Sequence, residues 1–254
     1  MERKCLWCLK TACEVTFEKK AHTIPLSLGG DRYNRNVCDS CNSYFGNKQE
    51  VNYSIEEALK ETFNITRRRL LMGRKSKKQV GAFKSRFFDI RERNGKPRLV
   101  VKPSFRLNGS YQRELCYYFK RGLYKMYLEE FNRQNPKEGF EEKYNFIRNF
   151  ARYGLGQSPV LYFKRKVGII AMFDREAETP VLYFNRMKYL FSNDKFVEIE
   201  FLGHVFGFAI TLFDPMDFDN YIEKSLKEKR DFFSEAIVLK HLTEIDLTLS
   251  IMNS

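Results

Sequence analysis

Two C-x-x-C pairs, Cys5-Leu-Trp-Cys8 and Cys38-Asp-Ser-Cys41, stand about 30 residues apart at the start of the chain. They constrain it more than any other feature, because four thiolates at this spacing suit one tetrahedral Zn²⁺. Each pair turns its two sulfurs toward one ion, and the two pairs together cross-link a stretch too short to bury a core by itself. The zinc is therefore expected to be structural: with Cys5, Cys8, Cys38 and Cys41 filling all four positions, no ligand place is left for chemistry. Cys13 is a fifth candidate, ranked behind Cys8 because its spacing from Cys5 makes no tight knuckle. Five of the six cysteines crowd into residues 5 to 41 with no signal-like segment before them, which favours a metal over disulfides. No run approaches a membrane span, so the chain reads as soluble and cytoplasmic, without a membrane partner.

Between the knuckles lies Ala21-His22-Thr23-Ile24-Pro25-Leu26-Ser27-Leu28-Gly29-Gly30, then Asn34-Arg35-Asn36-Val37, and directly after Cys41 comes Asn42. A histidine followed by an apolar residue and proline, a Gly-Gly turn, an asparagine before a C-x-x-C and an asparagine after it resemble the HNH nucleases. The match in order and spacing covers about 45 residues. The resemblance implies a ββα-metal fold in which His22 ends the first strand, Gly29, Gly30 and Asn36 shape the return, and Cys38 to Gln49 opens and forms the helix. It also implies the roles: neutral His22 as general base, aligned by a backbone carbonyl in the neighbourhood of Asn36, and the Asn42 amide oxygen as a ligand of Mg²⁺ or Mn²⁺. An unperturbed imidazole pKa near 6.5 suits a base at neutral pH, and hard cations prefer oxygen ligands.

One position departs from the family. Many HNH nucleases carry Asp or Glu immediately before the histidine as the main acidic metal ligand, and this chain has Ala21. Glu18 substitutes if it lies on the strand of His22, since period-two alternation then points both side chains to one face. Asp39 is a second candidate, better suited to an outer or solvent-facing role inside a knuckle. His204 and His241 default to structural roles.

The formal charge of +13 is concentrated: residues 67 to 106 hold fifteen Lys or Arg against Asp89 and Glu92, so the remainder is neutral. Such a segment fits a polyanion, because each neutralised phosphate releases counterions, with a solvated basic linker as the alternative. The candidate nucleic-acid contacts are Arg67, Arg68, Arg69, Arg74, Lys75, Lys77 and Lys78. The expected partner is double-stranded DNA, and a homodimer is the arrangement by which a single HNH site cuts both strands.

The fold class expected is α+β: an HNH module at 1–50, a basic connecting segment at 51–108, and a larger α+β domain at 109–254. A short helix is expected from Ile55, and a hairpin turning at Asn94-Gly95 between Phe83–Arg91 and Pro97–Phe105. An amphipathic helix over 112–131 carries Leu115, Phe119, Leu123 and Phe131 at three-to-four spacing. A second helix is expected over Phe140–Tyr153, then strands at Val160–Lys164, Val167–Phe173, Val181–Phe184, Phe196–Phe201 and Val205–Leu212, and a helical region from Asp217. The leading reading is a metal-dependent endonuclease in a defence or restriction setting, with a non-catalytic zinc-dependent nucleic-acid-binding protein as the alternative. In a third reading residues 109 to 254 sense a ligand or partner and control the nuclease.

Overall fold

The computed structural model describes residues 2–48, 52–71, 84–94, 96–166, 179–184 and 189–250. The first knuckle, stitched by Leu6 N–H to the Asn36 carbonyl at 2.6 Å, leads into β1 (Ala21–His22), which pairs antiparallel with β2 (Tyr33–Asn34). Between them the chain turns through Gly29, whose φ of 95° lies in the left-handed region, and Gly30. A Cβ on Gly30 would stand 2.0 Å from the Ile24 carbonyl oxygen, so only glycine lets this turn close over the strand. Helix α1 (Asp39–Gly46) follows, started at Cys38, and completes a ββα unit.

Helix α2 (Ile55–Leu70) starts where the Ser54 hydroxyl accepts the Glu57 N–H at 3.0 Å, and extends well beyond the short helix expected. The hairpin β3 (Phe88–Arg93) and β4 (Lys96–Val101) turns at Asn94, whose φ of 55° places it in the left-handed region that Asn tolerates. Helix α3 (Gly109–Gln134), capped by the Asn108 side chain on Tyr111 N–H at 2.9 Å, contains the expected 112–131 segment. Phe140–Tyr153 forms two 3-10 turns and only a short α4 (Asn145–Ala151), because Glu141 adopts extended backbone and Gly154, at φ 67°, ends the run.

The rest forms an antiparallel five-stranded sheet of order β6 (Leu182–Tyr183), β7 (Phe196–Phe201), β8 (His204–Ala209), β5 (Val160–Arg165) and β9 (Phe233–Val238). The expected strand at Val167–Phe173 lies outside the described residues. Helix α5 (Pro215–Lys229) begins with an Asp214/Asp217 capping box and proline in its first turn. The helical C-terminal region is corrected by β9: Phe233 to Val238 pair along β5, and that edge pairing follows directly on the end of the helix at Lys229.

One hydrophobic core runs from Trp7 and Phe45 through Leu59 and Phe63 of α2, Phe119 and Tyr127 of α3, to Phe206 and Phe208 of the sheet. A smaller cluster on the other sheet face joins Phe163, Phe196 and Tyr221. Among the described residues no helix is long and apolar enough to cross a membrane. The architecture is α+β, with an N-terminal ββα unit that carries a four-cysteine cluster.

Candidate active site and metal centre

The loops before β1 and the start of α1 bring Cys5, Cys8, Cys38 and Cys41 together, with all four Sγ atoms within 4.8 Å of one another. The Cys8 and Cys38 sulfurs are 3.8 Å apart, matching the roughly 3.8 Å between sulfurs that metal–thiolate bonds of about 2.3 Å impose in a tetrahedron. As thiols Cys5, Cys38 and Cys41 do not ionise alike. The hydrogen bond from Cys41 lowers Cys5 to about 5, desolvation pushes Cys38 up to about 11, and the bond to Cys5 drives Cys41 higher still. A dication is the natural partner for such a set. The Arg152 guanidinium, stacked 3.7 Å over the Tyr44 ring, also donates its Nε–H toward Cys41 Sγ at 3.5 Å. Cys13 stands apart, exposed, with its thiol on Glu2 at 3.0 Å.

His22 ends β1 with its ring half-buried. Desolvation and the nearby Lys125 ammonium hold its pKa below 6.5, while Glu56 and a hydrogen bond with the Lys20 backbone pull the other way. The Lys20 backbone, two residues back along the chain, is one group that acts on the ring. Asn36 sits in an amide cluster: its N–H binds Asn34 Oδ1 at 2.7 Å and its Nδ2 donates to Asn132 Oδ1 at 3.2 Å. It shapes the return from β2, as the resemblance implies. Asn42 lies half-buried in the first turn of α1, one residue after a cluster cysteine, so its backbone is fixed by the neighbouring thiolate.

Glu18 does not share the strand of His22. It precedes β1, and its N–H binds Asp39 Oδ2 at 3.1 Å. The Asp39 carboxylate also takes the Thr16 hydroxyl at 2.5 Å and the Lys19 N–H at 2.8 Å, so it organises the loop 16–19. Among the described residues the four cysteines are the one group of three or more His, Cys, Asp or Glu side chains close enough to share an ion.

The wall behind His22 comes from residues a hundred positions away. Lys125 Nζ, wholly buried on α3, donates to the His22 carbonyl at 2.7 Å and pairs with Glu56 and Glu129, each at 3.0 Å. Burial alone would pull the ammonium pKa down, and the two carboxylates more than offset it. Glu129 in turn accepts the Trp7 indole N–H at 2.9 Å, between the two cysteines of the first knuckle. Thr23, next to His22, donates to Glu130 at 3.0 Å, and Asn34 Nδ2 reaches the Glu129 carbonyl at 2.7 Å. Sequence reading passes over all of these. The one local signal, Lys125 and Glu129 at i,i+4, ordinarily marks a solvated ion pair.

Of the candidate nucleic-acid contacts, Arg67 is corrected. It is 5% exposed and donates to the Ser27 carbonyl at 3.0 Å, because it lies on the face of α2 turned to the ββα unit. Arg69 holds the carbonyls of Thr248 and Leu249, and Arg68 is half-buried. Arg74, Lys75, Lys77 and Lys78 lie outside the described residues. Exposed cations of the same segment are Lys84, Arg91, Arg98 and Arg106, on and around the hairpin. His204 is buried against Tyr162, its pKa depressed to about 3 by desolvation, and His241 caps a 3-10 turn with Glu244.

No curated protein and no solved structure matches the chain. The family model of the HNH endonucleases matches residues 5–56, from the first cluster cysteine to Glu56 of α2, and the N-terminal module of this protein is an HNH module.

Proposed function

We propose that the protein is a metal-dependent HNH endonuclease that hydrolyses phosphodiester bonds in DNA, in a defence or restriction setting. The observation that supports the reading is a ββα unit, matched by the HNH model over residues 5–56, in which a half-buried His22 ends β1 and Asn42 follows a cluster cysteine on α1. The four cysteines hold a structural zinc, for which their sulfur spacing and burial are suited.

Hydrolysis requires a proton to leave water as the water attacks phosphorus. His22 takes that proton at a ring nitrogen: with its pKa below 6.5, the imidazole is neutral at physiological pH and ready as base. Lys125 fixes the His22 carbonyl, which holds the backbone that carries the ring. Asn42 would hold the catalytic Mg²⁺ or Mn²⁺ through its amide oxygen. When bound, that ion stabilises charge on the phosphorane and on the departing 3′ oxygen. The exposed cations of the hairpin draw the duplex in by its phosphates.

Ala21, which leaves the position before the histidine without an acid, favours a second reading, a zinc-dependent protein that binds nucleic acid without cutting it. An end-labelled duplex incubated with the full chain separates the two. Shorter products with Mn²⁺ and none with EDTA support the nuclease. A shifted, intact complex under every metal supports the binding protein.

A further inference from the structure

Ala21 is fully buried and carries only a methyl group; of the two acids that could replace it, Asp39 is engaged by three donors of the 16–19 loop, and Glu18 lies on the run before β1, off the strand of His22. A carboxylate linked to His22 through a shared ammonium comes from α2. We propose that Glu56 supplies the acidic ligand of the catalytic divalent ion, in the place that Ala21 leaves without one; this rests on the reading of His22 and Asn42 as the catalytic pair.

Four observations support it. Glu56 Oε1 sits 3.0 Å from Lys125 Nζ, and the same ammonium is 2.7 Å from the His22 carbonyl, so one buried cation ties the two residues together. Glu56 Oε2 lies 3.7 Å from the point where a Cβ on Gly46 would stand. Gly46 follows Asn42 by one turn on the same face of α1, so Oε2 packs against the turn of α1 that comes after Asn42. The Glu56 side chain keeps 25% of its surface open to solvent, so an ion can reach it. The ammonium between the two is wholly buried, which holds the carboxylate in place.

The chemistry fits. An amide oxygen and a carboxylate oxygen, completed by waters and phosphate oxygens, make the oxygen set that Mg²⁺ and Mn²⁺ prefer. A carboxylate offers two oxygens, so Lys125 fixes one and leaves the other for the ion. The repulsion that Lys125 would otherwise exert is met by Glu129, the second carboxylate 3.0 Å from that ammonium. Glu56 is the second residue of α2, in the turn held by the Ser54 cap, which fixes where its side chain starts.

The test is Mn²⁺ titration of the zinc-loaded full chain, with free Mn²⁺ followed by electron paramagnetic resonance. Glu56→Gln keeps an oxygen for Lys125 and removes the charge. With bound zinc and melting temperature like those of the unaltered chain, it is expected to weaken Mn²⁺ binding by roughly 10- to 100-fold. A second measurement needs no variant: Fe²⁺ with ascorbate and peroxide should cut the unaltered polypeptide beside Glu56 as well as beside His22 and Asn42. Equal Mn²⁺ affinity in folded Glu56→Gln, no Mn²⁺ binding by the unaltered chain, or iron-dependent cutting that spares Glu56 would each overturn the assignment. Glu56-dependent Mn²⁺ binding by a chain that cuts no DNA would leave the metal site standing and remove the nuclease reading.

Discussion

Lys125 Nζ donates to the carbonyl oxygen of His22 at 2.7 Å, across 103 residues of chain and with none of the lysine side chain exposed. A buried ammonium is tolerated only when its donors are met by acceptors and its charge by acids. Here the His22 carbonyl, Glu56 and Glu129 do both, and Glu129 passes the connection on to Trp7 in the first knuckle. The candidate base and the cysteine cluster are thereby fastened to one face of α3.

Lys125→Met removes that ammonium and leaves Glu129, itself fully buried, without its cation. Loss of one partner of a buried pair is expected to lower stability by about 3–5 kcal/mol. Urea unfolding of the zinc-loaded variant measures it, and a loss comparable to that of an exposed lysine would contradict the role given to the network.

The HNH module is correspondingly expected to depend on the rest of the chain. Asn34, Asn36, Thr23 and Trp7 all make polar contacts with α3, and Arg148 of α4 donates to the Leu6 carbonyl at 2.8 Å. A fragment of residues 1–56 with zinc leaves those groups without these partners. Its amide proton spectrum should be poorly dispersed around β1 and β2, whereas a spectrum matching the module in the full chain would show that α3 is dispensable.

Much of the site was legible because its signals are local. Cys5 to Cys8 and Cys38 to Cys41 announce their cluster by spacing, and Asn94-Gly95 announces the hairpin by turn chemistry. What the sequence hid is non-local. Lys125, Glu129, Glu130 and Asn132 read as the wet face of an amphipathic helix, yet α3 is buried around most of its circumference because the HNH module covers its polar side. The inward turn of Arg67 has the same origin: nothing within α2 marks which arginine faces the Ser27 loop. The strand Phe233–Val238 was obscured by the helical segment before it, since its partner β5 lies some 70 residues earlier.

The acid limb of catalysis should lie below the ordinary imidazole range. His22 must be neutral to accept a proton, and burial with Lys125 nearby lowers its pKa from 6.5. Activity is then kept as pH falls through 6.5 and is lost only below it, as the ring takes a proton. The profile of kcat/KM against pH for duplex cleavage reports this inflection, and an acid limb centred well above 6.5 would assign the base to another group.

Gly122 tests the seam between α2 and α3. A Cβ there would stand 2.4 Å from Leu59 Cγ, part of a fully buried side chain. Gly122→Ala should therefore destabilise by about 1–3 kcal/mol through overpacking, in spite of the better helix propensity of alanine. Thermal melting decides it, and a variant as stable as the parent would mean that the two helices part without cost.

The central claim is most directly tested with supercoiled plasmid, incubated with the zinc-loaded chain and Mg²⁺, Mn²⁺ or EDTA, beside His22→Ala shown to be folded by its bound zinc and melting temperature. The account predicts nicked or linear DNA with either divalent ion, none with EDTA, and none with the variant. Metal-dependent cutting that survives in folded His22→Ala, or plasmid left intact by the unaltered chain under every condition, would contradict it.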